Sequence, residues 1–242
     1  MIILTGDSHT NALRLGAQEL SQQGEIPASI ELRVGMLGNG KHADSDFSET
    51  RDGRVVLTQP ALAGGLRRLT GDDAFRAEPQ FRYGVCLGFH SAPFFRHPMW
   101  RRYRPAPLFT QAAGQRPVSS GVLDTIVDAR GQFLFKFFDR LLSTGVDFFV
   151  IAAPPPRRDH PCLKESPANV VLAADRIFRH RVSQRLDSLG IRYVMPPEST
   201  TDDAGFLKSE YANIAPRDFH HGNAAYGAEM LRSVLEVAQD PR

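Results

Sequence analysis

Short apolar runs alternate with stretches of helical periodicity along the chain. Ile2, Ile3 and Leu4 form an apolar run that Gly6-Asp7-Ser8-His9 breaks. A helix is expected over residues 11–22, with Leu13, Ala17 and Leu20 on one face. Gly24 and Pro27 end it. Ile30, Leu32, Val34 and Met36 occupy alternate positions, the period of a strand, and Gly38 and Gly40 follow. The turn at Thr50-Arg51-Asp52-Gly53-Arg54, before Val55-Val56-Leu57, predicts a hairpin outside the main sheet. Pro60 opens a helix carrying Leu62, Leu66 and Leu69. Residues 83–88 read as a third, buried strand and 120–143 as a long helix that Gly131 bends or splits. Residues 147–152 read as a fourth strand. Ser166 or Asn169 starts the next helix, which Gly190 closes; residues 191–195 give a fifth strand and 224–239 the last helix.

Strands alternating with helices imply parallel strands joined by crossovers. The expected fold is α/β: a three-layer α/β/α sandwich, flavodoxin-like, with a five-stranded, mainly parallel sheet in the order 2-1-3-4-5 and a small β-hairpin excursion. One domain over residues 1–242 accommodates it. Ligands bind such sheets at the carboxyl edge, here beside strand 1. Residues 91–119 depart from the pattern. They hold Pro93, Pro98, Pro105, Pro107 and Pro117, with Phe94, Phe95, Trp100, Tyr103 and Phe109 among several arginines. Two readings stand: a lid-like insertion over the ligand edge, or a surface loop whose aromatics pack down on the body.

Composition narrows the function classes. An apolar fraction of 42% and a charged fraction of 23% are those of a globular protein. A net charge of +2 gives no electrostatic footprint for nucleic acid. Cys86 lies in an apolar run and Cys162 in a Pro-rich loop, which is no disulfide framework. No window approaches the roughly 18 apolar residues of a membrane span. The first strand begins at Met1-Ile2 with no basic leader before it, so the expectation is a cytoplasmic protein without a membrane partner. Oligomeric state is not legible.

Two loops carry candidate chemistry. Ser8 sits where a strand turns into a helix. A serine there caps the helix, or it presents its hydroxyl at the sheet edge near free helix N–H groups that favour negative charge. Before the last helix, the loop 216–227 holds Asp218, His220, His221 and Asn223. A hydroxyl becomes a nucleophile when a base takes its proton, and histidine does so near neutral pH. A carboxylate close by fixes the histidine tautomer. A metal reading of His220-His221 needs three or four ligands at workable spacing. The histidines at 42, 90, 97, 160 and 180 show no close pairing along the chain, so neither a metal nor another cofactor is expected. The loop after strand 1 lacks the glycine patterns of nucleotide binders.

Gly6-Asp7-Ser8 near one end, with D-x-x-H-x-N over 218–223 near the other, resembles the SGNH (GDSL-type) hydrolase family of esterases and lipases. The resemblance runs over nearly the whole chain. It implies Ser8 as nucleophile, His221 as base and Asp218 as its acid; the D-x-x-H spacing selects His221 over His220. It also implies an oxyanion hole from the Ser8 backbone N–H and a glycine after strand 2, either Gly38 or Gly40. Its third member is asparagine in the family, but this chain reads Gly88-Phe89-His90 there. His90 either donates an N–H to the oxyanion or lines the pocket. Asp7, His9, Asn39, Trp100, Arg157, His220 and Asn223 are further candidates for contact with substrate. The implied activity is hydrolysis or transfer of a small acyl ester, with O-acetyl groups on a saccharide as one candidate. The alternative is a catalytically weakened ligand-binding protein on the same fold.

Overall fold

The computed structural model describes residues 1–111 and 114–239. Strand β1 (Ile2–Gly6) leads into helix α1 (Thr10–Gln22) and β2 (Leu32–Met36). Then come β3 (Ser48–Arg51), β4 (Arg54–Leu57), α2 (Pro60–Thr70), β5 (Ala74–Phe75) and β6 (Arg82–Cys86). A short helix α3 (Ala92–Phe95) and two short strands, β7 (Tyr103–Pro105) and β8 (Arg116–Val118), precede α4 (Ser120–Ser143). The chain ends with β9 (Phe148–Ile151), α5 (Ala168–Ser188), β10 (Tyr193–Val194) and α6 (Ala224–Gln239).

The main sheet runs β2-β1-β6-β9-β10, with every pairing parallel. Counting only its own strands, this is the order 2-1-3-4-5 read from the sequence. Ile3, Leu4, Val85, Phe149 and Val150 are fully buried, as expected of a parallel sheet covered on both faces. Helix α1 packs on α6 and α4 packs on α5, while α2 lies against β2 and β4. The hairpin excursion is real and gains β5, giving a separate antiparallel sheet β3-β4-β5. Among the described residues, no helix is long and apolar enough to cross a membrane.

Three local expectations are corrected. Gly131 neither bends nor splits α4, which runs unbroken from Ser120 to Ser143; tertiary packing of Leu123, Val127, Leu134 and Phe138 outweighs one glycine's cost of about 1 kcal/mol. Helix α5 starts at Ala168 with Pro167 at its N-cap, so neither Ser166 nor Asn169 opens it. Trp100 is a core residue. It is fully buried, its indole N–H donates to the Phe94 carbonyl at 2.7 Å, and its ring meets Phe94 edge-on at 5.4 Å. It therefore presents nothing to a substrate. Phe94 and Phe95 are buried as well, and Phe94 lies 5.9 Å from Phe178 of α5. Phe94, Phe95, Trp100 and Tyr103 thus pack on the body; Ala112 and Ala113 of that segment lie outside the described residues.

One contact brings the two ends of the chain together. Where α1 crosses α6, a methyl group on Gly16 would collide with the backbone of Gly227, and one on Gly227 with the carbonyl of Ala12. The helix backbones touch there. Ser8 lies two residues before α1 and His221 three before α6, so this crossing holds both loops.

Candidate active site

The loop carrying Ser8 is pinned from both neighbouring strands. The Leu37 N–H donates to the Gly6 carbonyl at 2.8 Å, and the Asp7 N–H donates to the Cys86 carbonyl at 3.3 Å. A side chain at Gly6 would run into that same Cys86 carbonyl. The Asp7 carboxylate accepts the His9 N–H at 2.9 Å. The N-cap position of α1 belongs to His9, with no side-chain cap, so Ser8 is not the cap. Its hydroxyl instead lies 2.8 Å from Nε2 of His221, 213 positions along the chain.

Asp218 organises the other loop. Its Oδ1 accepts the backbone N–H groups of His220 (3.2 Å) and His221 (3.1 Å), and its Oδ2 accepts the amide of Asn213 (2.7 Å). Nδ1 of His221 lies 2.9 Å from both carboxylate oxygens. Burial works against the Asp218 charge, but the N–H groups and the imidazole of His221 outweigh it and hold the carboxyl at about 2. An ionised carboxylate accepts a hydrogen bond from Nδ1–H and so holds the proton on Nδ1, which leaves the Nε2 lone pair facing the Ser8 hydroxyl.

Arg157 supports this loop from behind. Its guanidinium donates to the Asn213 carbonyl at 2.7 Å and the Asp218 carbonyl at 3.0 Å, and its other face grips Asp159 at 2.9 and 2.6 Å. Every arm of this buried side chain is engaged, so Arg157 positions Asp218 rather than meeting substrate. Arg217 adopts φ +64°, a left-handed conformation that non-glycine residues rarely take, immediately before Asp218. Asn223 is structural: its Oδ1 accepts the Tyr226 N–H at 3.0 Å at the start of α6, and its Nδ2 donates to the Glu210 carbonyl at 2.7 Å.

After β2, the two candidate glycines differ. The open side of Gly38 faces Leu62 and His42, whereas that of Gly40 faces the Asp7 carboxylate, with a Cβ there 3.4 Å from Oδ2. Among the described residues, neither the Gly40 nor the Ser8 backbone N–H has a protein acceptor. Asn39 is exposed, and its side chain accepts the Lys41 N–H at 3.0 Å, capping the turn Gly40–Asp44.

Sequence spacing missed a cluster of four imidazoles. The His9 ring lies 4.5 Å from His90, 4.6 Å from His221 and 5.9 Å from His220; His220 lies 4.3 Å from His221 and 5.8 Å from His90. His90, which pairs with nothing along the chain, therefore pairs in space with His9. Nδ1 of His90 is 3.9 Å from Asp7 Oδ2. Burial pushes His90 down to about 3 and His220 down to about 4, with the neighbouring imidazoles adding to the effect. Burial likewise drives His9 well below its ordinary range and raises the Asp7 carboxyl above its own. The rings of His9, His90 and His220 are thus neutral at pH 7.

No protein-family profile and no curated protein sequence matches this chain. Solved structures do. An extracellular lipase from Streptomyces rimosus aligns over 98% of this chain and 99% of its own, at 11% identity and a TM-score of 0.54. A GDSL-like lipase from Bacteroides thetaiotaomicron aligns over 98% of this chain and 86% of its own, at 9% identity and 0.51. The M. smegmatis aryl esterase aligns over 98% and 97%, at 12% identity and 0.50. At these identities the likeness is one of architecture: the chain has the α/β fold of GDSL-like lipase and esterase structures.

Proposed function

We propose that this protein is a serine ester hydrolase or acyltransferase that uses Ser8, His221 and Asp218 as nucleophile, base and orienting acid. The observation that carries this reading is the chain of two contacts, Ser8 Oγ to His221 Nε2 at 2.8 Å and His221 Nδ1 to Asp218 at 2.9 Å. In the proposed reaction His221 takes the Ser8 proton as Oγ attacks the ester carbonyl. The free backbone N–H groups of Ser8 and Gly40 receive the developing oxyanion, each donor worth roughly 2.7–4 kcal/mol. The alcohol leaves with the proton from His221. Water, or an acceptor alcohol, then attacks the acyl-serine and returns Ser8 to its free form.

His90 stands where the family has asparagine. Neutral, it retains one ring N–H as a third donor.

A fluorophosphonate probe tests the assignment. It should label the wild type at Ser8, and Ser8→Ala should lose both labelling and p-nitrophenyl acetate turnover, the latter by roughly 10⁶-fold. Turnover retained by that variant overturns the nucleophile. Saturable ester binding with no labelling of the wild type favours the ligand-binding reading instead, for which His90 in the asparagine position is the one specific observation.

A further inference from the structure

Two residues that flank Ser8 face a third group that the proposed mechanism leaves partly idle. One carboxylate oxygen of Asp7 and one ring nitrogen each of His9 and His90 all lie within 4.8 Å of one another. Asp7 uses Oδ1 to accept the His9 N–H, and among the described residues its Oδ2 accepts no hydrogen bond. His9 is 4% exposed, yet neither of its ring nitrogens has a hydrogen-bond partner; nor does Nε2 of His90, which is buried as well. Buried polar atoms are almost always partnered, and an unpartnered set of this kind points to a ligand that completes it. The donor set is two imidazoles and one carboxylate, which is borderline in softness and suits zinc or a neighbouring divalent transition ion over calcium or magnesium.

The geometry points to a divalent transition-metal site at Asp7, His9 and His90, with zinc as the ion it fits best; we propose that this site binds one Zn²⁺ beside the Ser8 hydroxyl. Ligand atoms of a tetrahedral zinc site lie roughly 3.4 Å apart, given metal–ligand bonds of about 2.1 Å. Binding therefore requires the three groups, now within 4.8 Å of one another, to draw together around the ion. Three protein ligands leave a fourth position for water. The set is separate from the other carboxylate–histidine group here, Asp218, His220 and His221. There His221 has both ring nitrogens engaged, one by Asp218 and one by Ser8.

Calorimetric titration of chelator-treated protein with Zn²⁺ tests the site without reference to turnover. Wild type should bind one equivalent. His90→Asn should weaken that binding at least about tenfold, since even outer-shell changes cost 10–100-fold, and His9→Asn should do the same. His221→Asn should leave it within a factor of three. Co²⁺ in place of Zn²⁺ should give tetrahedral d–d absorption that His90→Asn abolishes. Should either histidine variant fail to fold by circular dichroism, Asp7→Asn replaces it, because its amide oxygen still accepts the His9 N–H. No saturable binding by the wild type, binding indifferent to His90→Asn, or binding lost through His221→Asn would each overturn the proposal. Inhibition of ester turnover by zinc follows only if the Ser8 reading also holds, so the binding data stand on their own.

Discussion

Asp218 keeps its charge far into the acid range because four donors surround it: two backbone N–H groups, the Asn213 amide and the His221 ring. With its carboxyl at about 2, it stays ionised from neutral pH down past pH 4. Protonation of Asp218 should therefore not shape kcat/KM between pH 4.5 and 8. Asp218→Asn tests its role in orienting the imidazole. An amide no longer demands the Nδ1 proton, so kcat should fall about 10⁴-fold, with a near-native circular dichroism spectrum. Steady-state assays from pH 4.5 to 8 measure both. These three side chains were legible in the sequence because each sits in a local pattern, Gly-Asp-Ser at a strand end and D-x-x-H before a helix. His9 and His90 were not. They stand 81 positions apart, and only the pairing of β1 with β6 sets their rings together. Trp100 was misread for a related reason: a tryptophan in a Pro-rich loop looks available, and nothing local tells that Phe94 offers its carbonyl from six residues back.

At the level of elements, the α1–α6 crossing governs whether the two loops meet. Gly227→Ala forces a methyl into the Ala12 carbonyl, so the helices must part. Overpacking of this kind costs roughly 1–3 kcal/mol. Because α6 begins three residues after His221, the imidazole should move with it. The expected result is a lowered urea midpoint together with a loss of kcat larger than the stability change explains, while Gly64→Ala in α2, where an added methyl meets only the Arg68 side chain at 3.7 Å, lowers neither. A second element-level device is the buried ion pair on α5. Arg179 donates to both oxygens of Asp175 at 3.0 Å and to the Ala153 and Pro154 carbonyls at 3.0 and 2.8 Å, and Asp175 in turn accepts the Ser91 hydroxyl. It ties the loop after β9 to the residue following His90. Asp175→Ala leaves the Arg179 charge buried without its partner and should cost about 3–5 kcal/mol by equilibrium unfolding. The glycine contact has no sequence signal beyond two glycines in helical stretches; the strands and helices themselves were legible because their apolar periods differ.

For the molecule as a whole, pH acts through buried histidine. His160 is held below its ordinary range chiefly by burial, and its Nδ1 accepts the Cys162 N–H at 3.1 Å, which only an unprotonated nitrogen can do. Its pKa is lower folded than unfolded, so as pH falls below about 6.5 the unfolded chain takes up the proton first. This contribution to stability is complete above pH 6.5 and is lost on acidification, by at most about 1.4 kcal/mol per pH unit for one proton. Urea midpoints at pH 7.5 and 5.0 should differ in that direction, and His160→Gln should shrink the difference. Global topology was the most legible property of all. Five apolar runs separated by helices leave few ways to build a parallel sheet, and the doubly wound order sends the first loop and the last one to the same edge.

That meeting of head and tail has a consequence for synthesis. The hydroxyl emerges from the ribosome 213 residues before the imidazole. A chain released anywhere short of residue 221 owns a nucleophile with nothing to deprotonate it, however much of the sheet it has assembled. On the proposed chemistry, translation products that stop short of residue 221 are silent toward esters, and activity switches on only when α6 docks.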